Sequence, residues 1–307
     1  MIDQIVFGTR GSSLALFQTD SVIEKLKVLY PDILYKRKVI KTQGDRDQDS
    51  SLTLTEELGL FSNEIQSELV KNNIDAAVHS LKDVPVEHSE DLFLAAIPER
   101  VDAKDVLYHP EGLSINDLST SSVVGTCSLR RRGQIKHLRQ DIIIKDIRGN
   151  IQTRIDKVHL GEYDAIILAA AGLIRSGYDI SRYYVFDFDE ITPAPGQGAL
   201  AVETQRDDKS LIQMISRIDN VNIRKAVEAE RSILKHIGSG CSVPVGVFAY
   251  STDNGLNIVA CHVDPNSGEK LIIRRQNVKG AAEKIAEVFS DKLLFALDKN
   301  IAEEYGV

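Results

Sequence analysis

Hydroxyl and guanidinium side chains gather at the points along the chain where buried strands are expected to end. Two early groups are Thr9, Arg10 and Ser12, and Ser80, Lys82 and Asp83. Later groups comprise Thr126, Ser128, Arg130, Arg131, Arg148, Gly149 and Arg154. In open α/β sheets, ligands bind beyond the carboxyl ends of the strands, at helix N-termini. Because guanidinium forks bind carboxylates bidentately, this pattern predicts one crevice for a ligand that carries several carboxylates.

Asp83 is a carboxylate placed among these cations. Nearby positive charge favours the ionised form of a carboxyl group, so Asp83 is expected to carry a negative charge. Such a group can stabilise a developing cation or relay a proton to a leaving amine. The residues alone also allow a purely structural interpretation, because Lys82-Asp83 before Pro85 fits a simple polar turn. An arginine run that opens a helix is likewise commonly a solvated face.

The three cysteines, Cys127, Cys241 and Cys261, are widely spaced and odd in number, which argues against a disulfide framework. A reduced, cytoplasmic protein is the simplest interpretation. Cys241 lies in GSGCSVPVG, residues 238–246, where glycines permit a close approach and Pro244 prevents a continuing helix. Its thiol is either buried in a tight turn or presented to a ligand, whereas the other two fit small buried hydrophobes. With no CxxC or HExxH motif, no metal site is predicted.

Length and charge restrict the class of protein further. A chain of 307 residues is too long for one ordinary core, so two or three domains are expected. The net charge of −8 disfavours nonspecific binding to nucleic acid or to a membrane surface. The apolar run Ala165 to Ile174 is about half as long as a membrane span, and the N-terminus lacks the pattern of a secretory signal. These features favour a cytoplasmic protein. We also expect a monomer that acts on a small molecule.

The first two-thirds of the chain alternates strand and helix patterns. Strands are predicted over Gln4–Thr9, Tyr35–Thr42, Ile74–His79, Leu92–Pro98, Ser122–Thr126, Ile142–Ile147, Ala165–Ala169 and Ala199–Glu203. Helices are predicted after Ser12 or Ser13 and over Phe61–Asn72, Leu129–Leu138 and Ile151–Leu160. Gly-Thr ends a strand before a serine at both Gly8 and Gly125, and Asp-Ala opens a later strand at both Asp75 and Asp164. Because these two repeated dipeptides occur in the same order in each half, they favour two similar α/β lobes.

The last third changes pattern. A helix over Ile223–His236 leads into GSGCSVPVG, and strand patterns follow at Val245–Tyr250, Leu256–Val263 and Lys270–Gln276 before a helix from Ala281. The expected fold class is α/β, with two lobes and a small α+β C-terminal domain. The predicted domains are 1–98 with 199–217, 104–193, and 222–307, the last carrying Cys241.

Six motifs resemble those of one enzyme family, in the family's order. They are HSLKDVP (79–85), GTCSLRRR (125–132), IRGNIQTR (147–154), YDAIILAAAGL (163–173), PAPGQGAL (193–200) and GSGCSVPVG (238–246). The family is hydroxymethylbilane synthase, also called porphobilinogen deaminase. The resemblance implies two lobes similar to periplasmic binding proteins and the small third domain.

The resemblance also implies a reaction and a cofactor. A covalent dipyrromethane cofactor would be joined to Cys241 by a thioether, which is not reducible as a disulfide is. The transferase would add four porphobilinogen molecules head to tail, losing ammonia each time, and water would release hydroxymethylbilane for tetrapyrrole and heme biosynthesis. Asp83 would be catalytic, stabilising the cationic azafulvene that forms when ammonia leaves.

The motifs assign contacts residue by residue. Cofactor contacts fall to Ser80, Lys82, Asp83, Thr126, Ser128, Arg130, Arg131, Arg148, Gly149 and Cys241. Substrate contacts fall to Arg10, Ser12, Phe61, Arg148, Arg154, Arg175 and Gln197. Every pyrrole carries acetate and propionate, so an arginine-lined crevice in an acidic chain fits this chemistry. Two departures stand out, since Glu56-Glu57-Leu58 replaces a glycine- and lysine-rich loop and Cys127 replaces the family's usual serine.

The sequence leaves two further hypotheses open. A two-lobed protein that binds an organic anion without catalysis would explain the lobes and the arginines, but not GSGCSVPVG. A Cys–His hydrolase would use His236, five residues before Cys241, and predicts rapid alkylation of that thiol by small electrophiles. A dipyrrole-sized adduct on Cys241 separates the synthase from both.

Overall fold

A computed structural model describes residues 2–42, 62–87, 89–237, 244–287 and 289 of the 307-residue chain. It divides into two compact units. The first unit comprises Met1–Val101 and Gly198–Arg224, and the second comprises Asp102–Gln197 and Lys225–Val307.

The described residues form strands and helices in alternation, followed by three consecutive strands. The strands are β1 (Gln4–Thr9), β2 (Leu34–Val39), β3 (Ala76–Ser80), β4 (Leu92–Ala96), β5 (Asp105–Tyr108), β6 (Val123–Gly125), β7 (Ile143–Lys145), β8 (Ala165–Ala169), β9 (Tyr184–Val185), β10 (Leu200–Gln205), β11 (Val245–Thr252), β12 (Gly255–Val263) and β13 (Lys270–Val278). The α-helices are α1 (Ser13–Leu29), α2 (Asn63–Val70), α3 (Leu129–Leu138), α4 (Ile151–His159), α5 (Ala170–Arg175), α6 (Lys209–Ile215) and α7 (Val221–His236). Residues 282–287 are also helical.

Two five-stranded sheets share one topology. The sheet of the first unit has the order β2-β1-β3-β10-β4, and that of the second unit has the order β7-β6-β8-β5-β9. In each, three neighbouring strands are parallel, and the fourth strand runs antiparallel to both of its neighbours. Apolar side chains cover both faces of each sheet, as parallel strands require.

The repeated Asp-Ala pair of the sequence makes the same backbone hydrogen bonds in both sheets. Asp75 accepts a hydrogen bond from the Val6 amide at 2.6 Å through its carboxylate, and its own amide donates to the Val6 carbonyl. Asp164 makes the matching pair of bonds with Val123, also at 2.6 Å from the carboxylate. In each lobe an aspartate therefore fixes the register at the start of a buried strand against its parallel neighbour.

Polar side chains begin the helices that follow these strands. Ser12 Oγ accepts from the Ala15 amide at 3.2 Å, Ser128 Oγ from the Arg131 amide at 3.4 Å, and Asn150 Oδ1 from the Thr153 amide at 2.9 Å. Such a cap stabilises a helix by about 1 kcal/mol because it satisfies a backbone N–H that has no partner in the first turn. The helices therefore begin at the places where the polar groups of the sequence cluster.

The small antiparallel sheet β11-β12-β13 packs within the second unit. Phe248 of β11 stacks on Phe188 with 4.0 Å between ring centroids. Lys270 of β13 donates to the Asp189 carbonyl at 2.7 Å, and Arg274 pairs with the Asp189 carboxylate at 2.6 Å. Helix α7 and residues 285, 286 and 289 close the core of this sheet.

The fold class expected from the sequence is confirmed: the protein is α/β, with two lobes of like topology and a small C-terminal sheet domain. Helix α3 and strand β8 have the predicted bounds. Strands β5 and β9 and helices α5 and α6 were not predicted. No helix of the described ranges is long and apolar enough to cross a membrane.

Candidate active site

Four of the predicted ligand-binding residues line one small pocket in the first unit. Strands β1 and β3 are parallel neighbours, so the segments that follow them meet at the same edge of the sheet. Arg10, Ser12, Ser80 and Asp83 all line the pocket. Its cavity is ≈ 70 Å³, against roughly 300–1,000 Å³ for a site that encloses a whole small molecule. The pocket therefore suits one polar group of a ligand.

Lys82 and Asp83 lie on a single 3₁₀ turn that follows β3. Leu81, the first residue of the turn, is fully buried, and its amide donates to the Ala199 carbonyl at 2.9 Å. Both charged side chains are half-buried. An apolar anchor and a backbone hydrogen bond thus fix the backbone that carries the candidate catalytic carboxylate.

A buried polar cluster lies at the strand that leads into this turn. Glu203 of β10 is fully buried, and both of its carboxylate oxygens accept from Gln66 Nε2, at 3.2 and 3.1 Å. His79 of β3 has its Nε2 atom 3.1 Å from Glu203 Oε2. The side chain of the next residue, Ser80, accepts from Gln18 Nε2 at 2.9 Å. Sequence reasoning missed Glu203, because its partners are distant along the chain.

In the second unit, the loops that follow β6 and β7 carry the corresponding groups. These strands are parallel neighbours with Gly125 opposite Lys145, so Thr126 and Arg148 lie at the same edge of the sheet. The Thr126 amide donates to the Lys145 carbonyl at 2.9 Å. Thr126 Oγ1 accepts from the Ser128 amide at 3.2 Å. A hydroxyl that accepts in this way keeps its hydrogen for donation to a ligand.

The β7–α4 loop is shaped around Gly149. Gly149 has φ of +115°, and a Cβ atom there would lie 2.8 Å from Thr153 Cγ2. Arg154, one turn into α4, donates from Nε to the Gly149 carbonyl at 2.7 Å. Arg148 and Arg154 are both half-buried. The glycine therefore permits a tight loop in which Arg154 donates to the residue that directly follows Arg148, another of the predicted substrate-binding arginines.

The residue that replaces the family's serine links these loops. Cys127 Sγ donates to the Ile147 carbonyl at 3.1 Å. The thiol occupies the position of the expected hydroxyl donor and joins the segment after β6 to the segment after β7. Because a thiol is a weaker donor than a hydroxyl, the cysteine makes a weaker form of the link that a serine could make.

Arg130 and Arg131 are not exposed at the start of α3. They are 6% and 8% exposed, and they pair with Asp105, which is fully buried at the start of β5. Arg130 Nη1 donates to Asp105 Oδ2 at 2.8 Å, and Arg131 Nη2 donates to Asp105 Oδ1 at 2.7 Å. Burial opposes ionisation of Asp105, but the two guanidiniums hold its pKa well below the usual range. Burial lowers the pKa of Arg130, while Asp105 acts to raise it.

Further buried polar groups complete this cluster. Gln197 is 1% exposed and donates from Nε2 to Asp105 Oδ1 at 2.9 Å. The Thr192 carbonyl accepts from Arg130 Nη1 at 2.7 Å and from Gln134 Nε2 at 3.1 Å. Arg131 Nε is buried and has no hydrogen-bond partner among the described residues. Sequence reasoning missed Asp105, and the short apolar stretch Val106–Tyr108 after it was the one local signal of a buried strand.

The remaining predicted residues divide into two groups. Arg175 ends α5 and is 5% exposed. Phe61, Cys241 and the acidic segment Glu56-Glu57-Leu58 lie outside the described residues. Within the described ranges, no group of three or more His, Cys, Asp or Glu side chains could hold a metal ion.

The pocket of the first unit and the loops after β6 and β7 of the second unit therefore each carry hydroxyl, guanidinium and backbone N–H donors that can bind acidic groups, and the pocket of the first unit also contains the half-buried carboxylate of Asp83. This chemistry suits a ligand with several carboxylates that acquires positive charge during a reaction.

Comparisons with known proteins agree with this chemistry. Residues 5–213 match the family model "Porphobilinogen deaminase, dipyromethane cofactor binding domain", and residues 224–294 match "Porphobilinogen deaminase, C-terminal domain". The porphobilinogen deaminase of Geobacillus kaustophilus is 41% identical over 98% of this chain and 99% of its own. That of Natranaerobius thermophilus is 44% identical over 87% of this chain and 86% of its own.

Among solved structures, the methionine-binding protein MetQ aligns at 11% identity with a TM-score of 0.47, over 71% of this chain and 90% of its own. The second substrate-binding domain of an amino-acid ABC transporter from Streptococcus pneumoniae aligns at 13% identity with a TM-score of 0.46, over 70% and 91% of the two chains.

Proposed function

The chain belongs to the porphobilinogen deaminase family, and we propose that Asp83 is the catalytic carboxylate of its reaction. The enzyme is a transferase that condenses four porphobilinogen molecules head to tail, with loss of ammonia, to give linear hydroxymethylbilane in tetrapyrrole biosynthesis. Family membership favours this activity over the anion-binding protein and the Cys–His hydrolase.

The observation that carries the site assignment is the pairing of donor groups with Asp83 in one pocket. Arg10 and Ser12 line the same ≈ 70 Å³ cavity as Asp83. That volume accommodates an acetate group or an aminomethyl group, but not a whole pyrrole. Arg10 and Ser12 bind a carboxylate of the substrate, which orients the reacting carbon toward the Asp83 carboxylate.

Asp83 acts electrostatically as ammonia leaves. Positive charge develops on the substrate pyrrole when the carbon–nitrogen bond breaks, and an ionised carboxylate stabilises that charge. Lys82, on the same turn, binds the acidic groups of the ring that attacks. Because Leu81 anchors the turn, the carboxylate needs little reorganisation during the reaction.

The donor set in the second unit fits the family's dipyrromethane cofactor, which carries acidic side chains and supplies the pyrrole on which the product is built. Thr126 and Ser128 offer hydroxyl hydrogens, Arg131 has a buried Nε without a described partner, and Arg148 is half-buried beside Gly149. These residues, with Ser80, Lys82, Asp83 and Arg130, hold the cofactor. Cys241 is its point of attachment.

Substrate contacts are assigned to Arg10, Ser12, Phe61, Arg148, Arg154, Arg175 and Gln197. Of these, Ser12 and the four arginines hold carboxylates of the substrate, and Arg148 also contacts the cofactor. Support is strongest for Arg154, which donates to the Gly149 carbonyl, and for Arg148, which is half-buried beside that glycine. It is weakest for Gln197, whose amide already donates to Asp105 and to the Ala103 carbonyl. That role for Gln197 relies on the motif alone.

Three further assignments are part of this proposal. The domains are 1–98 with 199–217, 104–193, and 222–307, which is supported by the three separate sheets. The enzyme is a cytoplasmic monomer, and the thiols of Cys127 and Cys261, which form no disulfide bond among the described residues, favour a reducing compartment. Neither nucleic acid nor membrane is a partner, in keeping with the net charge of −8.

Substitution of Asp83 tests the proposal. Asp83→Asn removes the charge at nearly constant volume, so turnover of porphobilinogen should fall about 10²- to 10³-fold while the thermal midpoint changes little. Asp83→Glu should retain more activity than Asp83→Asn, since it keeps the charge. Asp91→Asn, an exposed aspartate in the same unit, is the control. If Asp83→Asn turned over porphobilinogen at the rate of the wild type, Asp83 would not be the catalytic carboxylate.

A further inference from the structure

Asp105 holds three side chains whose residues lie up to 92 positions away from it in the sequence. Its Oδ2 atom accepts from Arg130 Nη1 at 2.8 Å. Its Oδ1 atom accepts from Arg131 Nη2 at 2.7 Å and from Gln197 Nε2 at 2.9 Å. The carboxylate is fully buried, so these three donors replace water around it. Each guanidinium is thereby held in one orientation.

The cluster made by Asp105, Arg130 and Arg131 contains two positive charges and one negative charge. Two adjacent guanidiniums repel each other, and burial strengthens that repulsion. Lys270 of β13 adds positive electrostatic potential near Arg130. Apart from Asp105, Arg131 and Lys270, the titratable group that acts on the Arg130 guanidinium is the Cys261 thiol. The cluster is thus short of negative charge, and Arg131 Nε remains an unpaired buried donor among the described residues. Both features favour an additional anionic group.

A second contact joins this cluster to the motif that contains Cys241. The Thr192 carbonyl, which accepts from Arg130, lies against Gly246, the last residue of GSGCSVPVG. A Cβ atom at Gly246 would lie 2.5 Å from Thr192 O, so no side chain fits there. The Val247 amide then donates to the Pro193 carbonyl at 2.9 Å. Arg130 and Gly246 therefore both contact the Thr192 carbonyl, the first through a hydrogen bond and the second through close backbone packing.

We propose that Asp105 is a positioning residue, which fixes the guanidiniums of Arg130 and Arg131 to receive a carboxylate of the pyrrole chain, and that the packing of Gly246 against Thr192 holds in place the carbonyl to which Arg130 donates. The inference rests on the proposed function, because it assigns the anion to the cofactor or growing product. Asp105 contacts neither. It acts by holding two long side chains that would otherwise separate and lose their preorganised geometry on ligand binding.

The first variant is Asp105→Asn, which keeps the shape of the side chain and removes its charge. In the purified holoenzyme, KM for porphobilinogen should rise about tenfold with a smaller change in kcat, because the two arginines lose their orientation. The share of molecules that carry a covalent adduct, measured by intact mass, should fall. Leu118→Ala, a core substitution in the same unit, controls for a simple loss of stability. It should lower the thermal midpoint without changing KM or the adduct.

The second variant, Gly246→Ala, disturbs the Thr192 carbonyl, to which Arg130 donates, without changing Asp105. It therefore tests the orientation of Arg130 even if Asp105→Asn does not fold. It displaces Thr192 and should also raise KM and lower the adduct share. Wild-type KM and adduct content in a folded Asp105→Asn or Gly246→Ala protein would overturn the inference. Failure of the proposed function gives a different result, since the wild-type protein would then show neither an adduct nor turnover.

Discussion

The Cys127 thiol donates a hydrogen bond to the Ile147 carbonyl across 3.1 Å. This contact joins the two loops that carry Thr126, Ser128 and Arg148. A weak donor thus occupies a position where two loops of the proposed cofactor site meet, and its replacement tests how strongly the loops depend on each other.

Cys127→Ser should preserve this link and leave turnover nearly unchanged, because a hydroxyl is the better donor for the same carbonyl. Cys127→Ala removes the donor and should lower the free energy of unfolding by about 1 kcal/mol, with a rise in KM. Thermal unfolding and steady-state kinetics of both variants measure the effect. Equal behaviour of the serine and alanine variants would show that the bond does not support the loops.

Asp105→Asn should lower the free energy of unfolding at pH 7 by about 3–5 kcal/mol, since it leaves two buried guanidiniums without their counter-charge. Denaturant unfolding measures this difference. Asp141→Asn is the matched control, because it breaks an ion pair with Arg139 in a more exposed setting and should change stability little. A loss no greater than that of the control would contradict the importance of the buried cluster.

The destabilisation by Asp105→Asn should depend on pH. Arg130 and Arg131 hold the pKa of Asp105 below its ordinary value, which is about 3.9 in an unfolded chain. The ionised carboxylate therefore contributes full stability above about pH 4, and this contribution is lost as the pH falls through the lower pKa of the folded protein. The difference between wild type and variant should be constant from pH 7 to 5 and shrink below pH 4. A difference that grows with acid would contradict the ion pairing.

Gly149→Ala should disturb the loop of Arg148 and Arg154. The backbone there has φ of +115°, and the new Cβ atom would lie 2.8 Å from Thr153, so strain and overlap act together. We expect a loss of about 1–3 kcal/mol in unfolding free energy together with a rise in KM. Gly161→Ala is the control, because it has φ of +74° and nothing within 4 Å of the added atom. An equal rise of KM in Gly161→Ala would show that the loop around Gly149 has no specific role in binding porphobilinogen.

Basic residues at positions 56 and 57 should speed chain elongation. Glu56 and Glu57 replace a basic loop of the family and would repel a product that carries many carboxylates. The double variant Glu56→Lys with Glu57→Lys should therefore increase the rate of product formation, and the gain should diminish at high salt. An unchanged rate would mean that these side chains do not approach the growing chain.

Local patterns predicted most of the fold because its strands and helices are short and clearly punctuated. The serine cap of α3 and the apolar run of β8 were sufficient to give their bounds. Strand β5 was missed because it begins with a charged residue, Asp105, whose burial depends on partners 25 and 26 positions away. No local pattern contains that pairing.

The candidate site could be predicted in composition but only partly in geometry. Hydroxyls after the strands were identifiable because strand ends and helix caps have local signatures. The run of arginines in α3 predicted a helix face that binds a ligand or is solvated. Arg130 and Arg131 are instead buried against Asp105, and this burial depends on tertiary packing that no local pattern contains. The cysteine motif was identified by its resemblance to a family, since an isolated thiol is otherwise more often a buried hydrophobe.

Intact-mass measurement of the purified protein and of Cys241→Ser tests the central claim most directly. We expect the wild-type protein to carry an adduct of dipyrrole size, and we expect the serine variant to be unmodified and inactive. Cys127→Ser and Cys261→Ser are the matched controls, and each should keep the adduct. An adduct that persists in Cys241→Ser, or an active wild-type protein without any adduct, would contradict the account.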